Sequence, residues 1–192
     1  MDKISLRREC LDKRRGLSSR ERETLSQTIR EKVESRPEFQ EARVVALYYP
    51  TAGEVDLLPL AWILLAWGKR VVFPRVEAKE LVFCPVEGEG DLREGYKGIK
   101  EPITSPISQE EIDLFLVPGV AYDLEGYRLG MGGGFYDRVL SRKGRWQMAL
   151  GAAYHFQIVD RLPRDWWDQR VDLVITENLT LTPATTRYLK RR

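Results

Sequence analysis

A continuous apolar run at residues 43–49 is the feature that most restricts how this chain can fold. Between Arg43 and the pair Tyr48 and Tyr49, every side chain is apolar, with no polar residue at alternate positions. A strand with one solvated face would alternate, so this pattern predicts a strand that is buried on both faces. Strands of that kind belong to parallel sheets, whose connections are usually helices. The run therefore predicts an α/β fold.

Helices are predicted on both sides of this strand. Residues 3–35 predict two helices broken near Gly16, because Ser18 and Glu21 have the spacing of a capping box for the second one. After the strand, Asp56 is placed to cap another helix, with Pro59 in its first turn. A further helix is predicted from roughly residue 134 to residue 141.

Short apolar runs predict the other strands of the sheet, at residues 70–73, 81–86, 114–117, 148–152 and 173–176. Residues 87–111 are rich in Gly, Pro, Glu and Lys and predict a long loop that is either mobile or laid over a site. These elements together predict one α/β domain over residues 1–192, in three layers, with a mostly parallel central sheet, helices on both faces and an N-terminal helical hairpin. The basic residues 190–192 are expected to be solvated.

The charge balance restricts the classes of partner. Lys and Arg number 31 against 29 Asp and Glu, so no overall field favours nucleic acid or an anionic membrane. Charges at Asp2, Lys3 and Arg7 interrupt the apolar run that a secretory signal needs, and no segment is long enough to span a membrane. We therefore expect a cytoplasmic protein. Cys10 and Cys84 lack the spacing of a zinc motif.

The glycine-rich segment at residues 128–137 is the strongest candidate for a binding site. Gly132, Gly133 and Gly134 stand in succession between a predicted strand and a predicted helix, where backbone N–H groups can turn inward around an anion such as phosphate. The segment lacks the Gly-Lys-Ser/Thr ending of a Walker A loop and the Gly-x-Gly-x-x-Gly spacing of a dinucleotide site. From spacing alone, a flexible turn explains the glycines equally well.

Two charged residues flank these glycines and favour the phosphate interpretation. Arg128 can offer a bidentate cation to phosphate oxygens, and Asp137 can hold a metal ion beside them. Taken singly, each is more often a residue of a surface ion pair or a helix end. A cation, a glycine loop and a carboxylate within ten residues form a less ordinary combination.

Residues 126–138 closely resemble the signature of the 5-formyltetrahydrofolate cyclo-ligase family. Residues 3–7, 53–56, 98–102 and 168–172 are similar to other segments of that family, in the family's order. The resemblance implies that 5-formyltetrahydrofolate and ATP are converted to 5,10-methenyltetrahydrofolate, ADP and phosphate, with Mg²⁺ required. It further implies a phosphorylated formyl group, an iminium phosphate, as the intermediate.

The resemblance also implies a set of site residues. It puts ATP on Lys3 and Arg7 and on the loop of Arg128, Leu129, Gly130, Met131, Gly132, Gly133, Gly134, Phe135 and Tyr136. It puts the folate on Tyr49, Glu54 and the loop residues Met131, Gly132, Gly133, Gly134 and Phe135. Asp137 and Asp168 would hold Mg²⁺, with Asp172 as a less certain neighbour, and Arg128 and Asp137 would be catalytic.

One position departs from the pattern. Many family members carry Lys where this chain has Gly133, so another group must supply that charge. Arg128, Lys100 or the metal with the loop backbone are the alternatives. Most of the tryptophans are expected to pack in the core, with the alternative that Trp166 and Trp167, beside Asp168, border the pocket. His155, the only histidine, is expected to serve local packing or hydrogen bonding.

Three other classes of protein share some of these sequence features. A binding protein without turnover would need folate and nucleotide sites but neither Asp137 nor Asp168. A sugar-phosphate isomerase or CoA-transferase-like enzyme would use a phosphate loop and a carboxylate base without ATP. An RNA-binding module would need a stacking platform and a strong positive charge, which the sequence lacks. No nucleic-acid or membrane partner is expected, and the chain is expected to be a monomer.

Overall fold

A computed structural model describes residues 2–183 of the chain. The helices are α1 (Lys3–Gly16), α2 (Ser19–Glu34), α3 (Pro37–Glu41), α4 (Leu58–Ala66) and α5 (Phe135–Ser141). The strands are β1 (Val44–Ala46), β2 (Arg70–Glu77), β3 (Glu80–Pro85), β4 (Leu92–Glu94), β5 (Lys100–Pro102), β6 (Leu114–Val117), β7 (Ala121–Asp123), β8 (Arg128–Leu129), β9 (Met148–Ala152), β10 (Ile158–Val159), β11 (Leu173–Ile175) and β12 (Thr180–Leu181). The basic residues 190–192 lie outside the described part.

The central sheet is mixed and mostly parallel, with the strand order β12-β11-β9-β6-β1-β2-β3. β1 lies in its interior and pairs in parallel with β2 and β6. Only the two edge strands, β3 and β12, pair in antiparallel fashion. The predicted α/β fold with a mostly parallel sheet is therefore confirmed. β1 is shorter than the apolar run that predicted it, but Leu47 still donates to Val72 O of β2 at 3.0 Å.

The sheet is buried on both faces because its strands carry apolar side chains in both directions. On one face, Val45 and Leu47 pack with Ile29 of α2 and Leu60 of α4. On the other face, Phe115 and neighbouring strand residues pack with Val139 and Leu140 of α5. This explains why the sequence of β1 shows no alternation.

Local capping positions the N-terminal helices. Asp2 accepts a hydrogen bond from Ser5 N at 2.7 Å and begins α1. The capping box at the start of α2 forms as predicted, with Ser18 and Glu21 each bonded to the other's backbone. α1 packs on β7 and on the short 3₁₀ turn at His155–Gln157, whereas α2 packs on β11 and α3. The predicted helical hairpin and the number of layers stay predictions.

Asp56 does not cap α4, so that prediction is wrong. The helix begins at Leu58 with Leu57 as its N-cap, and Pro59 lies in the first turn as expected. The carboxylate of Asp56 instead accepts the N–H of Leu58, the first residue of the helix, at 2.9 Å. An N-cap side chain would accept the N–H of the second or third helical residue. The polar residue and the proline were found from the sequence, but the start of the helix was placed one residue too early.

The prediction of an unstructured loop at residues 87–111 is also wrong. β4 and β5 form an antiparallel hairpin there, with short 3₁₀ turns before, between and after its strands. Each strand has only three residues and two of those in β4 are exposed, so neither gives an apolar signal. A second small sheet, in the order β10-β7-β8, was not predicted either. It leads the chain from β7 through β8 into the glycine-rich segment.

Candidate active site

A cavity of about 730 Å³ opens at the carboxyl ends of β1 and β6, the usual ligand position in an open α/β sheet. Tyr49 follows β1 and Pro118 follows β6 on its wall. The structure brings every predicted ATP, folate and metal residue except Asp172 to this cavity: Lys3, Arg7, Tyr49, Glu54, Arg128, Leu129, Gly130, Met131, Gly132, Gly133, Gly134, Phe135, Tyr136, Asp137 and Asp168. Residues from distant parts of the sequence therefore share one chamber.

The glycine-rich segment forms the turn between β8 and α5 along the cavity wall. Gly132 has φ +99° and Gly134, the N-cap of α5, has φ +66°, so both need glycine. Gly133 has no positive φ. A Cβ at this position would instead lie 2.8 Å from the ring of Phe135, which is too close for a real contact. A side chain at residue 133 would therefore require the ring of Phe135 to shift.

Helix α1 reaches the glycine-rich segment through its first two turns. Arg7 Nε donates to Gly130 O at 2.7 Å. One turn earlier, Lys3 Nζ lies 2.7 Å from both Asp165 Oδ2 and Asp168 Oδ2. Burial alone would lower the pKa of Lys3, but the hydrogen bonds to these two carboxylates outweigh burial and raise it. The ammonium is therefore held in its charged form at the cavity.

Arg128 is buried beside Asp137, with its Nη2 3.2 Å from Asp137 Oδ1. Its Nε and Nη2 have no hydrogen-bond partner among the described residues, because the contact with Asp137 is poorly aligned. The guanidinium also lies over the ring of Tyr136, 5.6 Å from its centre. A buried cation with unused donors is costly unless a ligand takes them. This arrangement suits an anion in the cavity.

The hydroxyl of Tyr136 is a second buried polar group without a partner in the described residues. Burial raises its pKa well above the ordinary value, and the carboxylate of Glu54 adds to that rise while Arg128 opposes it. The phenol therefore stays protonated and can act as a donor or an acceptor toward a ligand. Since Tyr136 lines the cavity, both unpartnered groups belong to the same site.

Glu54 marks another part of the cavity wall. Its Oε2 accepts the N–H of Thr51 at 2.9 Å, and its Oε1 lies 3.7 Å from Arg14 Nη2. Burial raises the pKa of Glu54, although Arg14 and Thr51 favour the charged form and oppose the rise. A partly buried carboxylate with one weakly used oxygen can accept hydrogen bonds from a ligand.

Sequence analysis missed Arg14, which is fully buried on α1. Its guanidinium donates to the backbone oxygens of Thr51 and Ala52 and so fixes the turn that carries Glu54. A signal for it was present, because Lys3, Arg7 and Arg14 follow the helical spacing i, i+4, i+11 and share one face of α1. The positive side chains on this face of α1 therefore extend from Asp168, through the glycine-rich segment, to the turn that carries Glu54.

The hairpin of β4 and β5 covers another side of the cavity, which agrees with the alternative that residues 87–111 lie over a site. Only its strands were not predicted. The ring of Tyr96 meets Phe135 edge to face at 6.1 Å between centres. Lys100 Nζ lies 5.7 Å from the centre of the Tyr49 ring. The hairpin therefore contacts both the glycine-rich segment and the residue that follows β1.

The structure places Asp172 away from this site, which corrects its assignment as a neighbour of the metal. Asp172 lies just before β11, at the opposite end of the parallel strands from the cavity. Its carboxylate accepts the N–H of Ala149 at 2.8 Å and pairs with Lys143 at 3.0 Å. These contacts give it a structural role.

The aromatic residues near Asp168 differ from expectation as well. Trp166 is 89% exposed, Trp167 is 49% exposed and Trp67 is 47% exposed, so the prediction that most of the tryptophans pack in the core is wrong. The alternative, that Trp166 and Trp167 border the pocket, agrees with the position of Trp167. Trp167 lines the cavity. Trp62 packs against the core as expected. His155 is exposed and lies outside the cavity lining.

Asp137 and Asp168 are the candidate metal ligands that the cavity offers. Gln169 N donates to Asp137 Oδ1 at 3.2 Å, so the two aspartates lie on adjacent segments. No cluster of three or more His, Cys, Asp or Glu suited to a metal occurs in residues 2–183. Mg²⁺ commonly binds through one or two carboxylates together with water and substrate phosphates. A pair of carboxylates beside unused phosphate donors fits that ion better than a metal held by protein alone.

Known proteins of one family match this chain over most of its length. The sequence model of the 5-formyltetrahydrofolate cyclo-ligase family matches residues 1–177. A 5-formyltetrahydrofolate cyclo-ligase of Escherichia coli K12 is 32% identical over 85% of this chain and 94% of its own length. In the described residues, no helix has the length and apolar character needed to cross a membrane.

Two solved structures share the fold. The 5,10-methenyltetrahydrofolate synthetase of Aquifex aeolicus has a TM-score of 0.87 and 42% identity, covering 100% of this chain and 98% of that one. The 5,10-methenyltetrahydrofolate synthetase of Mycoplasma pneumoniae has a TM-score of 0.77 and 34% identity, covering 92% of this chain and 99% of that one. Sequence and fold thus point to the same group of proteins.

Proposed function

The chain belongs to the 5-formyltetrahydrofolate cyclo-ligase family, and from this premise we propose that it uses ATP and Mg²⁺ to convert 5-formyltetrahydrofolate to 5,10-methenyltetrahydrofolate, ADP and phosphate. As a member of that family it is a carbon–nitrogen ligase of folate metabolism. The proposal includes one domain over residues 1–192 with three layers and an N-terminal helical hairpin. A cytoplasmic location and a monomer stay predictions.

One observation carries the proposal: a single cavity has cations and backbone donors that suit phosphate on one wall and a carboxylate on another wall. Arg7, Arg128 and the glycine-rich segment offer cations and backbone donors. Glu54 offers a partly buried acceptor that suits the amino-pyrimidine part of a pterin. Because both walls face one chamber, ATP and folate bound there would meet without a separate transfer step.

The reaction needs activation of a poor leaving group. In the proposed step, the formyl oxygen of the folate attacks the γ-phosphorus of ATP, the bond to the β-phosphate oxygen breaks, and ADP leaves. N10 then attacks the formyl carbon, the carbon–oxygen bond breaks, and phosphate departs with that oxygen. Loss of the N10 proton leaves the methenyl bridge. The phosphorylated formyl group is the proposed intermediate.

Residues of the cavity would position the reactants and balance their charge during these steps. Lys3, Arg7 and Arg128 would hold phosphate oxygens, and Arg128 would also balance the charge that develops on the transferred group. Tyr49 and Phe135 would hold the folate. Asp137 and Asp168 would hold Mg²⁺, which would neutralise phosphate charge. No side chain has to form a covalent bond, which accords with the position of His155 outside the cavity lining.

A direct assay tests this function. Purified protein is mixed with 5-formyltetrahydrofolate, ATP and Mg²⁺, and the near-ultraviolet absorbance of the methenyl product is followed. We expect a rise that needs both ATP and the metal, with one phosphate released per product. Folate binding without any rise would instead support a binding protein without turnover. Turnover of a sugar phosphate without ATP would support the isomerase alternative.

A further inference from the structure

The carboxylates proposed for the metal are already partners of cations proposed for the phosphates. Lys3 Nζ lies 2.7 Å from Asp168 Oδ2, and Arg128 Nη2 lies 3.2 Å from Asp137 Oδ1. Lys3 has a second partner at the same distance, Asp165 Oδ2, which also lines the cavity. Sequence analysis gave Asp165 no role. The contacts of these residues now suggest one.

We propose that Asp165 is a further positioning residue of the nucleotide site, which holds Lys3 beside Asp168 so that the binding of Mg²⁺ and the binding of ATP are coupled. This inference rests on the proposed function, because it takes Lys3 as a phosphate ligand and Asp168 as a metal ligand. The inference adds an exchange of partners between Lys3 and Asp168: Mg²⁺ would bind the carboxylate of Asp168 while the ammonium of Lys3 would move to a phosphate of ATP.

Electrostatics explains why the exchange couples the two ligands. A divalent ion at Asp168 stands close to the ammonium of Lys3, and the repulsion weakens metal binding unless Lys3 can move away. ATP without metal draws Lys3 to its phosphates and leaves Asp165 and Asp168 beside them without their cation, although Asp168 Oδ2 still accepts the N–H of Asp165 at 2.8 Å. ATP therefore draws away the ammonium that repels the metal, and the metal neutralises the carboxylates that repel ATP. Such coupling is reciprocal, so it can be measured from either side.

The second ion pair of the site follows the same pattern. Arg128 has unused donors at Nε and Nη2 within the described residues, so it can turn toward a phosphate with little loss to Asp137. Asp137 accepts the N–H of Gln169, the residue after Asp168, so Asp137 lies beside the segment that carries Asp168. Only the Lys3 pair is exposed enough to change without disturbing the core, because the Lys3 side chain is 24% exposed and that of Arg128 only 3%.

The first test measures metal binding alone. Mn²⁺, a spectroscopic substitute for Mg²⁺, is titrated without nucleotide into the wild type, Lys3→Met and Arg8→Met, and free Mn²⁺ is followed by electron paramagnetic resonance. Arg8 is exposed on the same helix and does not line the cavity, so it controls for charge. We expect Lys3→Met to bind Mn²⁺ about fivefold more tightly, the effect of one partly exposed ion pair, and Arg8→Met to match the wild type. Equal binding by all three, or equal tightening by both variants, would overturn the proposal.

The second test measures ATP binding by calorimetry with and without Mg²⁺. Asp165→Asn removes one partner of Lys3 and one anion near the phosphates, so ATP without metal should bind about threefold more tightly. The factor by which Mg²⁺ tightens ATP binding should shrink accordingly. Asp160→Asn, an exposed residue outside the cavity lining, is the matched control. If Asp165→Asn keeps the wild-type factor, Asp165 has no such role.

These outcomes are separable from the fate of the proposed function. Both titrations use Mn²⁺, Mg²⁺ and ATP without folate, so they report on the exchange even if no methenyl product forms in the turnover assay. Normal turnover together with unchanged Mn²⁺ binding in Lys3→Met would reject the exchange and leave the function intact. Loss of turnover in the wild type with the expected titrations would reject the function and leave the exchange intact.

Discussion

The ring of Phe135 fills the space that a side chain on residue 133 would need, since a Cβ there would lie 2.8 Å from two of its ring atoms. Phe135 is in turn held by Tyr96 on the β4–β5 hairpin and by Arg138. The backbone of Gly133 is not strained, so the ring alone excludes a larger residue. A lysine at this position therefore requires the ring to move.

Gly133→Ala should weaken ATP binding because the ring must shift against Tyr96. We expect the KM for ATP to rise about tenfold, in line with roughly 1–3 kcal/mol for overpacking. The double variant Gly133→Ala with Phe135→Leu should recover part of the loss, which steady-state kinetics would show. A larger loss in the double variant would contradict the steric explanation.

Arg128→Met should reduce turnover far more than Lys100→Ala. Arg128 is buried with unused donors, whereas Lys100 is exposed and lies over the Tyr49 ring. Loss of one donor that stabilises a transition state costs on the order of 100-fold in kcat. Lys100→Ala should stay within about threefold, the effect of an exposed charge. The reverse order would identify Lys100 as the cation that replaces the missing lysine at residue 133.

Asp137→Asn should lower both turnover and stability, but by different amounts. The amide still accepts from Gln169 but no longer balances buried Arg128, so the free energy of unfolding should fall by about 1–3 kcal/mol. Turnover should fall by about 100-fold or more if Asp137 holds the metal. Urea unfolding and kinetics on the same samples separate these effects. Full activity with reduced stability would leave Asp137 a structural role only.

Glu54 should give folate binding a pH dependence. Its pKa lies above the ordinary value of 4.5 because of burial, and the ionised form is the better acceptor for the pterin. The KM for folate should therefore rise as the pH falls through this raised pKa, while Glu54→Gln should have a high KM with no such dependence. A wild-type profile that matches the variant would exclude this role for Glu54.

The raised pKa of Glu54 affects the free energy of unfolding in the opposite direction from folate binding. Since the folded pKa of Glu54 is raised, its contribution is fully present below the unfolded value near 4.5 and is lost as pH rises through the folded value. Unfolding in urea across that pH range should show a decline in the wild type that Glu54→Gln lacks. Glu54 thus costs stability at neutral pH, where binding would use its charge.

Local patterns predicted the main sheet well because each central strand is a short apolar run between breakers. β6 and β9 have the predicted bounds. Patterns failed where partners decide structure, as in the β4–β5 hairpin, whose strands are too short and polar to stand out. Asp172 was also misplaced, although the strand at residues 173–176 was predicted, because family resemblance and not strand direction suggested its role; its position just before β11 puts the carboxylate at the far end of the sheet. The positions of the glycine-rich segment and its flanking charges were found from sequence, but the pairs Lys3 with Asp165 and Arg14 with Glu54 needed the fold.

The contacts of α1 also set the time at which the site can form. Arg7 reaches Gly130 across 123 positions, and Lys3 reaches Asp168 across 165. During synthesis, the first helix leaves the ribosome long before its partners exist, and contacts between distant residues form slowly. A nascent chain cut before residue 165 would contain the glycine-rich segment but lack a closed nucleotide pocket. The proposed nucleotide site can therefore form only after the segment with Asp165 and Asp168 has been made.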